Sequence, residues 1–320
     1  SMFHLMSYLD LEDGVLYAEG GFTRVIDSMR EVIEAHGVTI MTSTKVNAIA
    51  TERVRGKARA TGVTYKNPDG HTHTLSADIV VSTTDLHHSE TQLLPEELQT
   101  YPQKWWDKKV AGPSAVLLYL GVKGEVPELL HHSLFFTEDW DDNFSQIFAD
   151  KPTVPSPASL YVCKPSATDS SVAPKGHTNL FVLVPMPADV TLGHGGLNGS
   201  GDPAVEGIAD RAIEQIIKWS GASDLAERIV LRRSVGPADF AGDLNAWKGT
   251  ALGPAHILTQ SALFRAGNVS KKVEGLFYAG SSTIPGIGLP MCLISAEVVL
   301  KRVRGDVSTG PLPTPLMPVA

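Results

Sequence analysis

An α/β protein with an α+β insert is the fold class this sequence predicts, and three observations carry the prediction. Near the start, a glycine pair runs into an apolar repeat of helical period and then into a strand-like alternation. Near the end, a short apolar run, a glycine-rich turn and a second helical stretch have the order of a strand–turn–helix unit. Between them lies a long stretch of strands and helices with a different rhythm, as expected of one domain inserted into another.

The first unit runs from Gly14 to Asp85. Gly20 and Gly21 precede Phe22, Val25, Ile26, Met29, Val32 and Ile33, whose helical spacing ends near Gly37. Val38, Ile40, Thr42, Thr44 and Val46 then alternate as a strand does. Asn67-Pro68-Asp69-Gly70 has the composition of a hairpin turn. The short apolar run from Ala77 to Val81 predicts a strand buried on both faces. This order suits one edge of a nucleotide-binding α/β fold.

Residues 86–250 form the predicted insert, a mixed-sheet domain for the substrate. Its strand-like runs are Ser114 to Val122, Ser159 to Cys163 and Asn179 to Pro185. A helix starts at Asp202, with Pro203 in its first turn, and stops at Gly221. Residues 251–305 return to the first domain: Leu276 to Ala279 reads as a buried strand, and Pro290 opens a helix ending in Lys301, Arg302 and Arg304. Residues 306–320, rich in Ser, Thr, Gly and Pro, read as a flexible tail with nothing to bury.

Composition narrows the function. With 27 basic against 35 acidic residues in 320, and a net charge of −8, the chain is a poor candidate for neutralising nucleic-acid phosphates. Its two cysteines, Cys163 and Cys292, fit no zinc spacing and no disulfide framework, so a reducing cytoplasm is expected. The longest apolar stretch, around Ala115 to Val122, is too short to span a bilayer, and Ser1 to Asp10 has no signal-peptide pattern. That opening reads like the inside of a folded segment.

The strongest site signal is the run from Tyr278 to Met291, in which a strand ends, glycines allow close backbone approach and a helix begins. A helix N-terminus offers N–H donors and partial positive charge to an electron-rich ligand. A tight turn that binds nothing has the same spacing, and the residues alone leave both readings open.

This run resembles the C-terminal flavin-contacting motif of bacterial-type phytoene desaturases, a branch of the FAD-dependent amine-oxidase-like superfamily. Four further stretches resemble the same family in the same order. They are Gly14 to Gly21, Val80 to His88, Leu160 to Ser166, and Trp247 to Gly253 continuing to Gln260-Ser261 and Phe264-Arg265. The likeness extends from about Phe3 to Gly305.

The resemblance implies FAD as cofactor, a long polyene such as phytoene as substrate, and desaturation by hydride transfer to the flavin in carotenoid biosynthesis. It implies flavin-ring contacts from Gly280, Ser281, Gly286, Ile287, Gly288 and Met291, and an adenine contact from the backbone at Val46. Gly249 and Ala251 would lie near the ring and admit a thin substrate, although a simple tight loop explains them equally. No catalytic acid–base residue is expected, since the flavin carries the chemistry.

Two departures stand out. The family's opening strand, Gly-x-Gly-x-x-Gly turn and helix for the ADP half of FAD has no counterpart in this sequence, so the Rossmann-like domain is expected to be incomplete. Gly199-Ser-Gly201-Asp-Pro-Ala204 is a formal match without the preceding strand. Ala18 also stands where the family pattern has proline. The chain is therefore expected to need an N-terminal polypeptide as partner, as one half of a split enzyme, or to be a non-catalytic remnant. A related polyene isomerase or saturase would use the same flavin contacts.

His87-His88 and His131-His132 invite a metal reading, but adjacent residues on a strand point to opposite faces, and no metal site is expected at either pair. Tyr101, Lys104, Trp105, Trp106, Lys108 and Lys109 mix aromatic and basic character, as lipid-interface segments do, so a peripheral membrane contact stays open beside a packed interior for the tryptophans.

Overall fold

The computed structural model describes residues 12, 14, 16–149 and 151–312. The opening Ser1 to Asp10, including Phe3, and the end of the tail, 313–320, lie outside the described residues.

Helix α1 (Thr23–Ala35) forms where the apolar repeat predicts it, yet none of its residues is buried. Phe22, Ile26, Val32 and Ile33 remain 65, 50, 58 and 40% exposed. The alternation from Val38 to Val46 does not give the expected strand. Residues 38–41 have no ladder partner among the described residues, and the strand starts only at Lys45. From there β1 (Lys45–Val54) pairs antiparallel with β2 (Lys57–Lys66). The Asn67–Gly70 turn then returns β3 (Thr72–Ser76) onto β2, closed by the Gly70 amide donating to the Asn67 carbonyl at 2.9 Å.

The run from Ala77 to Val81 yields the short strand β4 (Val80–Ser82), buried on one face and not on two. Val80 is buried, whereas Ile79 and Val81 are each 44% exposed, because among the described residues this strand pairs with just one other, Leu276–Tyr278, in a two-stranded sheet.

Helix α2 (Leu86–Gln92) follows, then the short turn of helix α3 (Gln103–Trp106). The insert's sheet comprises β5 (Ser114–Lys123), β6 (His132–Phe135), β7 (Leu160–Cys163), β8 (His177–Met186) and β9 (Ile229–Val235). Helix α4 (Trp140–Phe148) lies between β6 and β7 in sequence. In space the strands run β6-β7-β8-β5-β9, and every pairing is antiparallel, so the expected mixed sheet is a purely antiparallel one. Antiparallel neighbours need only short connections, and a sheet of this kind can leave one face open.

One face is closed. Val116, Leu118, Leu120 and Val122 of β5 and Leu180, Val182 and Val184 of β8 pack against helix α5 (Pro203–Ser220), which contributes Val205, Ile208, Ala209, Ala212, Ile213 and Ile216. Gly221 ends α5 in the left-handed conformation, as the sequence predicts. Asp202 precedes the helix without capping it; its carboxylate accepts the His194 amide instead. The other face carries Leu117, Tyr119, Tyr161, Phe181 and Leu183, all partly accessible.

After α6 (Leu225–Arg228), β9 and α7 (Pro237–Leu244), the chain returns to its earliest strands through β10 (Val273–Glu274), parallel to β2, and β11 (Leu276–Tyr278), parallel to β4. Helix α8 (Leu289–Arg304) completes it, with Gly305 as its left-handed stop. A second core joins these pieces around Leu86, Trp106, Trp247, Leu276 and Tyr278. The described part of the tail is more than a free end. The Lys301 ammonium is buried and donates to the Ser308 and Gly310 carbonyls, and the Leu312 amide donates to Glu297 at 2.6 Å, which folds 306–312 back along α8.

Asp169 ties the glycine pair ahead of α1 to the insert. Its Oδ2 accepts from the Gly20 amide at 2.7 Å and from the Tyr17 hydroxyl at 3.1 Å. Donors from Ser171, Gly20 and Tyr17 favour the ionised form and hold its pKa at about 2. A depressed carboxyl pKa stabilises the contact above the ordinary value of 3.8, and this stabilisation is lost as pH falls through about 2. Protection of the Gly20 amide against hydrogen exchange is therefore expected to persist at neutral pH and fade in that acid window. In Asp169→Asn it should be weak at every pH.

Candidate functional site

The carboxyl ends of β4 and β11 point the same way, and the segments leaving the two strands converge on one cleft. Thr83, Thr84 and Asp85 come directly after β4; Ala279, Ser281 and Ser282 come after β11. Asp243 to Ala246, Thr250, Ala251 and Gly253 close the third side of a cavity of about 420 Å³. Ligands of open α/β sheets bind at this end of parallel strands.

One side chain fixes the turn after β11. Asn268 is buried, and its amide nitrogen lies within hydrogen-bond reach of the Tyr278 and Ile284 carbonyls and the Thr283 and Ser295 hydroxyls, each at 3.1–3.2 Å. Ser295 in turn accepts from the Gly280 amide at 3.1 Å. Gly280 sits at φ +113°, where a side chain would strain the backbone. Glu90, fully buried on α2, anchors the strand from behind by accepting from the Tyr278 hydroxyl and the Tyr101 amide. Burial pushes its carboxyl pKa up.

The buried Arg265 lies beneath the turn. One guanidinium nitrogen donates to the Ser281 carbonyl at 2.5 Å and another reaches His256 Nε2 at 3.2 Å. Burial first, and Arg265 second, lower the His256 pKa, keeping it neutral as the acceptor. Arg265 Nε is buried without a partner, next to the bare α-carbon of Gly286. At the cleft floor Asp85 caps α2, accepting from the His87 and His88 amides at 2.9 and 3.3 Å, and also from the Trp247 amide at 3.3 Å. Burial raises its pKa, with these amide donors opposing.

Of the residues singled out in sequence, Ser281 and Ala251 line the cleft. Gly280 borders it, 3.7 Å from the Thr83 carbonyl by the position its Cβ would take. Gly286 and Ile287 continue the same turn, Gly288 precedes α8, and Met291 lies in its first turn, where no side chain caps the helix. Gly249 does not line the cleft. A Cβ there would fall 2.4 Å from the Pro237 carbonyl, so its bareness serves loop packing. Val46, on β1, packs against the second core away from the cleft lining. In the glycine loop at Gly199 to Ala204 the space at Gly201 is already taken: a Cβ there would meet Glu206 at 2.5 Å and the backbone of Gly195 and Gly196 at 2.7 and 2.8 Å.

Sequence reading missed Asn268, Arg265 as a support, Glu90 and Asp85. Asn268, Arg265 and Glu90 act through partners outside their own local segment, so local pattern carries no signal for them, whereas Asp85 ahead of Leu86 has the local signature of a helix cap and only its contact with Trp247 is long-range. Trp106 settles inside, edge-on to the half-buried Trp105 and tilted against Trp247, while the Lys109 ammonium covers Trp105 at 4.3 Å. His87 packs edge-on against Trp106. His131 and His132 do come together, contrary to the strand-alternation argument, because β6 begins only at His132.

A cleft at the ends of parallel strands, next to the glycine-rich turn that leads into an uncapped helix, is the place where open α/β proteins bind their ligands. The chain belongs to the flavin containing amine oxidoreductase family, whose profile matches residues 1–299. It is 40% identical over 308 residues to a carotenoid 3,4-desaturase of Haloarcula japonica, covering 96% of this chain and 58% of that protein. It is 33% identical to a zeta-carotene-forming phytoene desaturase of Myxococcus xanthus, covering 95% and 55%. It is 31% identical to a phytoene desaturase of Fusarium fujikuroi, covering 95% and 54%. The chain thus spans little more than half the length of these relatives. An oxidoreductase structure from Methanosarcina mazei superposes with a TM-score of 0.56 at 18% identity, covering 88% of this chain and 55% of that one, a likeness of fold.

Replacing Asn268 with Ala leaves two buried carbonyls without their donor, at a cost of about 1–3 kcal/mol. Urea unfolding should show the midpoint falling with an unchanged slope; an unchanged midpoint would contradict the role given to Asn268.

Proposed function

We propose that this chain is part of an FAD-dependent oxidoreductase of carotenoid biosynthesis that desaturates phytoene or a related polyene. The observation that carries the proposal is the cleft beyond β4 and β11, beside an insert whose sheet keeps an apolar face accessible. Identity to carotenoid and phytoene desaturases supports the substrate class.

The residues present fit one end of the cofactor. Bare α-carbons at Gly280, Gly286 and Gly288 let a flat ring approach the backbone, and the unpartnered Arg265 Nε and uncapped α8 suit its electron-rich edge. Flavin, when bound, supplies the hydride acceptor. Ser281, Ile287 and Met291 would hold that ring, and the small Ala251 leaves the cleft wide enough for a thin chain. Gly249 keeps the Ala251 loop in shape. Val46 would offer backbone to the adenine end. The protein's remaining share is exclusion of water by apolar walls, with Tyr119, Tyr161, Phe181, Leu117 and Leu183 as the surface for a polyene.

No glycine-rich strand–turn–helix for the ADP half occurs among the described residues. The uncovered apolar stripe of α1, the unpaired stretch 38–41 and the half-open β4 suit burial by an N-terminal dinucleotide-binding polypeptide that completes the sheet. Purified chain passed through gel filtration with FAD should lose the flavin, and should retain it when mixed with the N-terminal half of a related desaturase. Retention by the chain alone would overturn the need for the second polypeptide. Failure in both arms would favour a non-catalytic remnant, and product analysis of the reconstituted pair separates desaturation from isomerisation or saturation.

A peripheral membrane contact is better supported by α4 than by the buried Trp106. Phe136, Trp140, Phe144 and Phe148 form a ladder with ring centroids 5.0, 5.9 and 6.4 Å apart, and each ring is about half exposed. No helix among the described residues is long and apolar enough to cross a membrane. Sedimentation with zwitterionic vesicles should fall by about tenfold or more in Trp140→Glu/Phe144→Glu. Equal sedimentation of both proteins would remove α4 from the contact.

A further inference from the structure

At the outer edge of the insert's sheet, three ligating side chains meet away from the cleft. His132 and Cys163 are direct cross-strand partners of β6 and β7, and His131 immediately precedes β6. The two imidazole centroids are 4.4 Å apart, and one ligand atom of each of His131, His132 and Cys163 lies within 4.8 Å of the others. We propose that His131, His132 and Cys163 form a binding site for a borderline-soft divalent cation, Zn²⁺, with water as the fourth ligand.

The donor set fits this ion. Zn²⁺ takes imidazole nitrogen at about 2.0–2.1 Å and thiolate sulfur at about 2.3 Å in tetrahedral array. Ligand atoms around it therefore sit about 3.3–3.6 Å apart. Three protein ligands with one open position is an established zinc arrangement.

The surroundings already orient the rings. His131 Nδ1 is hydrogen-bonded to Thr168 Oγ1 at 2.7 Å, and His132 Nδ1 to the Tyr161 hydroxyl at 2.7 Å. With each Nδ1–H donating outward, each Nε2 lone pair is left for a metal, the usual supporting arrangement for ligating histidines. His131 Nε2 is the independent sign of a missing ligand: it is buried and has no hydrogen-bond partner. On binding, the Cys163 S–H bond breaks, its proton leaves to water, and the sulfur lone pair forms the bond to zinc.

The location gives the ion a task. Tyr17 lies edge-on to His131 at 4.9 Å, and its hydroxyl bonds Asp169, which also holds Gly20. A metal here would pin the segment entering α1 to the edge of the sheet. Nothing in this inference depends on flavin binding.

Metal-free, reduced full-length chain titrated with Co²⁺ as a spectroscopic stand-in gives a direct test. One equivalent should produce the thiolate-to-cobalt charge-transfer band in the near ultraviolet, together with the visible transitions of a tetrahedral ion. One equivalent of Zn²⁺ should then displace it. Cys163→Ser should lose the band, Cys292→Ser should keep it, and Thr168→Val should weaken binding by about tenfold. Absence of the band in the unsubstituted chain overturns the site, whatever the variants do. A band that survives in Cys163→Ser and vanishes in Cys292→Ser overturns it equally.

Discussion

The parallel pairing of β4 with β11 is the constraint on which the site depends. It joins Leu276 to Val80, Phe277 to Val81 and Tyr278 to Ser82, bringing together segments from either side of the entire insert. Three hydrogen-bonded residue pairs are a weak bond for so long a loop closure, whose entropic cost grows with the residues enclosed. The pairing holds because it is braced on both flanks. Glu90 takes the Tyr278 hydroxyl from one side, and Asn268 gathers the carbonyls and hydroxyls of the following turn from the other. Buried polar groups of this kind are favourable only when fully paired, so they select one register and one turn geometry. The cleft is the outcome of that selection.

How much of this the sequence reveals depends on the range of each interaction. Helix α5 is legible because everything that defines it is local: Pro203 in the first turn, the apolar stripe, and Gly221 in a left-handed stop. The glycine run after β11 is legible for the same reason. The strand expected from Val38 to Val46 is not, because alternation describes which faces a strand would show and says nothing about whether a neighbour exists to pair with it. Asp202 shows a smaller failure of the same kind. Its composition marks a helix start, while its carboxylate is taken by the His194 amide from another loop.

Helix α1 has a clean apolar stripe, and an isolated thirteen-residue helix is marginal in water unless that stripe packs on something. Val81, one residue from the buried Val80, is open to solvent because no strand or helix among the described residues covers its side of the two-stranded sheet. A parallel sheet is normally covered on both faces, since its crossover helices lie there. The insert has no comparable deficit on its helix-covered face, where Val116, Leu118, Val162 and Val182 are wholly buried. The five-stranded sheet thus has a closed core on its helix-covered face, while α1 and β4 leave apolar side chains exposed.

Register in the five-stranded sheet sets both the core and the surface chemistry. His132 pairs with Cys163, Cys163 with Phe181, and Phe181 with Tyr119, so one row across four strands shares the face turned away from α5. The next row, Ser133, Val162, Val182 and Leu118, lies on the opposite face, with all but Ser133 fully buried. A slip of one residue in β7 would carry Cys163 into the core beneath α5 and bring Val162 out beside His132. Such a slip costs burial of wholly enclosed valine and leucine side chains, each worth about 1.5–3 kcal/mol. The hydrophobic core therefore enforces the alignment of two histidines and a cysteine that no sequence spacing announces. Tyr161, two residues from Cys163 and so on the same face, is delivered to His132 by the same register. A ligating cluster can be held in place here without any interaction of its own, because its geometry is fixed by packing on the other side of the sheet.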